Sequence, residues 1–289
     1  MKSDNTVIIV SLYRPKVDEI KNLYNYCSKT EKCIIMDDSE NCNEELCFLY
    51  LKDKRDRFDY VWNHGNMGLS RSLNIGIDKA KQIGANWILF MDSDSRWQND
   101  ILEVYKEYIT NHDMSMIALL GPQHNYSRHI RRPKAFFKEK KRIMLSGCLM
   151  SVEAINRIGG FDENFFIDGL DYDWCYRARM KGYRIIECGE AVINHSPGIE
   201  RQLKFGNRVI LKYGWAPPDR YYYQFKSMRI MHDKYHDILI DIHAIYKPLK
   251  VLFLFENKID YIIAWNKAKK DYKKGYFGKC PILKFQQKN

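Results

Sequence analysis

Trp87-Ile-Leu-Phe-Met-Asp-Ser-Asp-Ser-Arg-Trp97 decides how the rest of the chain is read. Trp87 to Met91 is a short, unbroken apolar run, the pattern of a strand buried on both faces in a parallel sheet. It ends in Asp92 and Asp94, one residue apart. At the carboxyl edge of an open α/β sheet, where ligands collect, two such acids repel unless a cation sits between them. Hard oxygen donors suit Mg²⁺ or Mn²⁺, ions that commonly also hold substrate phosphates. The same residues also suit an Asx/Ser turn capping a helix that starts near Asn99.

Working toward the N-terminus, Thr6–Tyr13 reads as a first buried strand, and a helix runs from Pro15 to about Ser28. Lys32–Met36 is a second strand ending at Asp37-Asp38-Ser39. This strand–helix–strand unit opens a nucleotide-binding α/β domain. Asp37 could accept a hydrogen bond from a nucleotide base or cap a helix. After a short strand at Tyr60–Trp62, Gly65 and Gly68 permit a tight loop into a helix whose N–H groups could face an anion. The spacing is not GxGxxG and no acid follows in the dinucleotide manner, which argues against NAD.

Toward the C-terminus, Ile101–Thr110 is a predicted helix and Met116–Leu120 a strand. His124–Arg142 is a basic stretch read as a solvated substrate loop. Ile143–Ser151 returns to the sheet, and Val152–Ile158 is helical. Asp168, Asp171 and Asp173 crowd the start of a helix running to about Met180. Capping could use one of them, and an acid beside Phe165, Phe166 and Trp174 is placed to act as a general base. Gly182–Cys188 is a strand, and Val192–His195 leads to a turn at Ser196-Pro-Gly198. His195, at a strand end beside acids, completes an N/O shell for a divalent metal.

The net charge of +11 points to an anionic partner. It is segregated: residues 216–289 hold 15 Lys/Arg against 7 Asp/Glu, and residues 128–142 hold 8 against 1. The eight cysteines include no CxxC pair, so reduced thiols are expected rather than a zinc knuckle. No signal peptide is read at the N-terminus, and no run reaches the ~18 apolar residues of a membrane span. Beyond Trp215, apolar stripes alternate with Lys-rich faces at 238–246, 249–255 and 259–265, read as helices broken at Pro217-Pro218 and Pro248. The expected division is therefore an α/β domain over 1–215 and a basic helical region over 216–289. Such helices pack on the core or rest on an anionic membrane surface.

Tyr13-Arg14-Pro15, Met36-Asp-Asp-Ser39, Asn66-Met-Gly-Leu-Ser70 with Asn74-Ile-Gly76, Asp92-Ser-Asp-Ser95, and Ser146-Gly147 through Asp171-Tyr-Asp-Trp-Cys-Tyr-Arg-Ala-Arg-Met-Lys-Gly-Tyr183 occur in that order. Together, over about residues 5–230, they resemble a family 2 glycosyltransferase of the GT-A fold, and most closely its rhamnosyltransferase-like branch. The family's acid before the base is Leu170 here, as is familiar in that branch. The resemblance implies a mostly parallel sheet between helices, with a helical C-terminal extension. It also implies inverting sugar transfer from a nucleotide-diphosphate donor, dTDP-rhamnose or a UDP-hexose, to a glycan hydroxyl, with Mn²⁺ or Mg²⁺ as cofactor.

Carried over by position, Asp171 is the catalytic base, and Asp92, Asp94 and His195 surround the metal. Ser11, Tyr13, Asp37, Asn66, Gly68, Arg71, Asp92 and Ser93 face the donor, while Asp168, Asp173 and Trp174 lie on the acceptor side. Arg220-Tyr-Tyr-Tyr223 resembles an element found after the catalytic domain, although it continues here as Lys226-Ser227. The acceptor is expected to be a glycan, free or lipid-linked, in bacterial surface polysaccharide synthesis. The expected location is cytoplasmic or peripheral on the inner membrane face. The rival readings are a basic nucleic-acid-binding protein without enzymatic activity and a different nucleotide-sugar enzyme; a nucleotidyltransferase is opposed by the absence of glycine from Val10–Lys16.

Overall fold

A computed structural model describes residues 5–126, 130–195 and 198–281. Its elements in chain order begin with β1 (Thr6–Leu12), α1 (Val17–Lys29), β2 (Lys32–Asp37), α2 (Glu44–Tyr50), β3 (Phe58–Trp62), α3 (Leu69–Gln82) and β4 (Trp87–Asp92). Then come β5 (Arg96–Trp97), α4 (Ile101–Asn111), β6 (Ile117–Asn125), β7 (Phe137–Glu139), β8 (Cys148–Ser151), α5 (Val152–Ile158), α6 (Leu170–Met180) and β9 (Arg184–Asn194). The chain closes with β10 (Ile199–Phe205), β11 (Arg208–Trp215), α7 (Pro218–Tyr235), α8 (Ile238–Leu254) and α9 (Lys258–Lys273).

Two compact units divide the chain: residues 1–162 with 171–196, and residues 163–170 with 197–289. The division falls ahead of residue 215 because β10 and β11 pair with each other, outside the main sheet.

In the first unit the sheet runs β3-β2-β1-β4-β8-β6-β9-β5, with β7 also on β9. β1 to β4 are mutually parallel, β8 is antiparallel to both neighbours, and β9 is parallel to β6. Val7–Val10, Cys33–Met36 and Trp87–Met91 are all buried, as continuous apolar runs covered on both faces must be. Each fully buried aliphatic side chain contributes about 1.5–3 kcal/mol. α1 covers one face with Ile20, Leu23, Tyr26 and Cys27. α3 approaches the other through small residues. A Cβ on Gly76 would stand 3.1 Å from the side chain of Ile9 and 3.3 Å from that of Met36, so glycine sets this helix–sheet distance.

Three local readings change. β6 continues to Asn125, beyond the expected Leu120, because Gln123, His124 and Asn125 find buried partners in Gly189, Ser146 and Arg131. The basic stretch is in part sheet: β7 pairs with β9, and Arg131 and Lys140 reach the buried Glu187. Arg128 lies outside the described residues, as do Ser196 and Pro197 of the expected turn. β9 also runs unbroken through 188–192.

In the second unit, Tyr221, Tyr222 and Phe225 of α7 pack with Val251, Phe255, Tyr261 and Ala264 of the following helices. Pro248 sits inside α8 rather than ending it. Lys226, where the chain departs from the family's element, is buried against the rings of Tyr222, Tyr223 and Tyr276, and burial lowers its pKa to about 8. Ser227 donates to the carbonyl of Ile167 at 3.4 Å.

Candidate active site

The carboxyl ends of β1, β2 and β4 lie side by side, with Leu12 paired to Asp37 and Ser11 to Asp92. Beyond Asp92 the chain turns sharply, the Ser95 amide bonding back to the Asp92 carbonyl at 3.2 Å. α1 fixes this turn from below. Asn22 donates to the carbonyls of Ser93 (3.2 Å) and Ser95 (2.8 Å), and the Tyr26 hydroxyl donates to the Ser95 carbonyl at 2.5 Å. Arg96 adds bonds to the same two carbonyls at 2.9 and 3.0 Å. With its backbone held this way, the loop is free to present its carboxylates. Asn22 and Tyr26, one helical turn apart, were not expected in the site; polar residues on the apolar face of an amphipathic helix were the available signal.

β5 then pairs Arg96 with Asn194, antiparallel, which sets the residue after Asn194 beside those before Arg96. His195 is thereby brought to Asp92 and Asp94. Its Nδ1 is 3.9 Å from a carboxylate oxygen of each, and one ligand atom from each of the three residues lies within 4.8 Å of the others. Asp92 accepts from the Ser11 hydroxyl at 3.1 Å. Asp94 Oδ1 is buried with no hydrogen-bond partner among the described residues. Burial raises the Asp94 pKa, and the charge of Asp92 raises it further. A buried acceptor without a donor, beside a second carboxylate and an imidazole, is the donor set a divalent cation fits.

Behind these groups runs a chain of hydroxyls. His195 Nδ1 is 2.9 Å from Ser95 Oγ, which is 2.8 Å from Ser146 Oγ, which accepts from the Asp92 amide at 3.2 Å. The Ser95 hydroxyl can accept from Nδ1 or donate to it, and in either tautomer it fixes the orientation of the ring. The neighbouring His124, with its pKa lowered to about 4 by burial, stays neutral and bonds the Ser146 carbonyl at 2.8 Å.

Asp171 stands at the start of α6, half-buried, with the Tyr172 amide on its Oδ1 at 2.9 Å. The buried Cys148 thiol of β8 is pushed up chiefly by burial, with smaller contributions from Cys175, Asp171, Cys188 and Asp92. The Tyr126 ring lies 6.4 Å from that of His195, and burial raises the Tyr172 pKa.

Tyr13 is partly exposed and bonds Glu40 at 3.2 Å and Asn66, with burial raising its pKa. Asn66 also caps the amide of Gly68, whose φ of 97° begins α3. Arg71 is exposed in the first turn of that helix. Ser93 is buried, its hydroxyl 3.4 Å from Glu19. An open groove of about 400 Å³ lies beside this edge, lined by Arg14, Pro15, Ser39, Glu40, Asn41 and Asn43.

Four expected residues have other contacts. Asp37 is wholly buried and already accepts from the Ser39 amide, Asn43 and the Tyr60 hydroxyl, tying the 39–43 loop to β3. Asp173, placed on the acceptor side by its sequence, is fully buried and bonds Arg177, which also reaches the Ile158 and Gly160 carbonyls. Residues two apart on a helix face apart, so Asp173 turns inward when Asp171 does not. Trp174 is likewise buried, its indole N–H on the Gly159 carbonyl at 3.0 Å. Asp168 belongs to the second unit, where Arg220 clasps it through two bonds of 2.7 Å. Asp38 was not singled out by position, yet burial raises its pKa to about 6 against the opposing bonds from Asn63 and Ser72.

Residues 14–166 match the model of glycosyl transferase family 2, which spans more than half of the chain. The dTDP-rhamnosyl transferase RfbF of Shigella flexneri is 24% identical over 287 residues, covering 90% of this chain and 92% of that protein. The low-salt glycan biosynthesis hexosyltransferase Agl10 of Haloferax volcanii is 24% identical over 291 residues, covering 91% and 88%. Among solved structures, S. aureus TarS 1-349 in complex with UDP-GlcNAc superposes with a TM-score of 0.55 at 12% identity, over 94% of this chain and 92% of that one. The mannosyltransferase PcManGT of Pyrobaculum calidifontis, with GDP-Man and Mn²⁺, gives 0.57 at 14% identity, over 94% and 83%. These structural likenesses are likenesses of fold, the GT-A arrangement. A nucleic-acid-binding role is not favoured by any of them. With its motifs in family order and its acids gathered at one sheet edge, the chain belongs to glycosyl transferase family 2 and is rhamnosyltransferase-like within it.

Proposed function

We propose that this glycosyltransferase moves a sugar, with inversion, from a nucleotide diphosphate to a hydroxyl of a glycan acceptor, and that dTDP-rhamnose is the first donor to test. The observation that carries the reading is the Asp92–Asp94–His195 cluster with the unpartnered Asp94 oxygen. Those three residues would hold a Mn²⁺ or Mg²⁺ ion, which when bound supplies charge neutralisation for the departing diphosphate. Asp171 takes the proton of the acceptor hydroxyl as its oxygen bonds the anomeric carbon and the bond to the diphosphate breaks. Ser95 and Ser146 orient His195, while Asn22 and Tyr26 keep the two acids in place. Tyr13, Asn66, Gly68, Arg71, Ser11 and Ser93 surround the donor in this reading, and Asp37 shapes its base pocket from behind. The relatives' names support a rhamnosyl or hexosyl donor and a glycan product. A lipid-linked acceptor at the inner membrane face is the setting we propose for the reaction.

Thermal shifts with a panel of nucleotide sugars test this directly. The cognate donor should raise the melting temperature with Mn²⁺ present and much less in excess EDTA, since binding to the folded state stabilises by mass action. A panel in which no nucleotide sugar shifts the melt with either metal would sink the reading.

A further inference from the structure

α8 packs inward through Ile240 and Val251, so in water its opposite face should be polar. That face instead carries Ile238, Ile242, Ile245, Leu249, Leu252 and Phe253, at helical spacing along the whole element, and all six are exposed. Ile245 is 65% and Phe253 75% accessible. Single exposed aliphatics are ordinary, but a full-length stripe is not. α9 begins with a matching exposed set, Ile259, Ile262 and Ile263, and ends in exposed Lys269, Lys270 and Lys273. The β10–β11 hairpin repeats the chemistry at its tip, where Phe205 is 80% exposed between Lys204 and Arg208.

Charge selects what covers this surface. Residues 197–289 hold 19 Lys/Arg against 8 Asp/Glu, a net of +11 that equals the charge of the whole chain. A second copy would set this excess against itself, and a nucleic acid has no use for the aliphatic stripe. A bilayer with anionic headgroups offers both a negative surface and an apolar interior. No described helix is long and apolar enough to cross a membrane, so the contact would lie in the interfacial plane. We infer that the exposed face of α8 and the start of α9, with the hairpin tip, seat the second unit on an anionic lipid surface. This deepens the membrane-face setting proposed above and rests on it, independently of the donor chemistry.

Co-sedimentation of the full chain with phosphatidylcholine vesicles, with and without phosphatidylglycerol, tests it. At low salt, binding to the anionic vesicles should be at least about tenfold stronger and should fall as salt is added. Ile242→Glu with Ile245→Glu should weaken it about tenfold or more. The melting temperature and the donor-dependent shift should be unchanged, because both side chains face solvent. Lys269→Glu with Lys270→Glu should weaken binding to anionic vesicles only. Wild-type protein that ignores both vesicles, or an Ile242/Ile245 variant that binds as well as wild type, overturns the inference. So does light scattering that shows a dimer dissociated by the same double variant, which would assign the face to a second copy. Vesicle binding with no donor-dependent shift would count against the proposed transfer reaction alone.

Discussion

The two units dispose of polar and apolar groups in opposite ways. The first buries its aliphatic strands completely and brings acids to the sheet edge, one of them with a buried, unpartnered oxygen. The second packs an aromatic cluster inside yet displays isoleucines and lysines outside. Charge follows the same division: the second unit, residues 163–170 with 197–289, carries +9, and the first carries +2. A nearly neutral unit with a local acidic edge is suited to a cation and the diphosphate it would hold. A unit with a basic excess and an apolar surface is suited to an extended anionic partner. One chain can thus separate a small-ligand task from a docking task.

This contrast can be broken at several points. The largest effect is expected at Asp171→Asn, which should lower kcat by about 10²–10⁴ with donor binding retained, read by steady-state kinetics and thermal shift. Near-normal turnover would remove Asp171 from the base role. Asp173→Asn should act on stability instead. It leaves Arg177 without its buried partner and should cost about 3 kcal/mol in urea unfolding, with turnover per folded molecule little changed. A large kcat loss in a stably folded Asp173→Asn protein would reverse the two assignments.

A smaller effect is expected at Asp38. Its folded pKa of about 6 lies above the ordinary 3.8, so the folded state holds the proton more tightly than the unfolded one. The cost of its charge is absent below about pH 4 and complete above about pH 6, so this carboxyl's contribution lowers stability as pH rises through that window. Asp38→Asn should remove that dependence, at most about 3 kcal/mol, measured by denaturant unfolding across the interval.

The sequence made the first unit's parallel core legible because doubly covered strands must be apolar throughout, as at Trp87–Met91. Asp92, Asp94 and His195 were legible as a set because hard donors at strand ends have few other uses. Long-range pairing was not. Gly189 reads as a break, yet it lets β9 continue: a Cβ there would lie 2.4 Å from the Lys134 carbonyl and from the Phe136 ring. The β10–β11 hairpin escaped notice because its strands pair only with each other, with most residues exposed and Tyr213 alone among them buried, so no buried face imposes alternation. Asp173 and Trp174 were misplaced because an acidic cluster at a helix start does not show which members point inward. Asn22 and Tyr26 act through backbone carbonyls some 70 positions away in sequence, which local patterning does not encode.

The two-residue strand β5 has a consequence for assembly. Both aspartates are in place once the first four strands have formed, but the imidazole joins them only when Asn194 docks beside Arg96, about a hundred residues later in the chain. A truncated polypeptide ending before β9 would therefore keep the acids and lack the third donor. If the cluster holds a metal as proposed, tight chelation would be a property of the finished unit, and an emerging, half-built chain would have little means of capturing the ion prematurely.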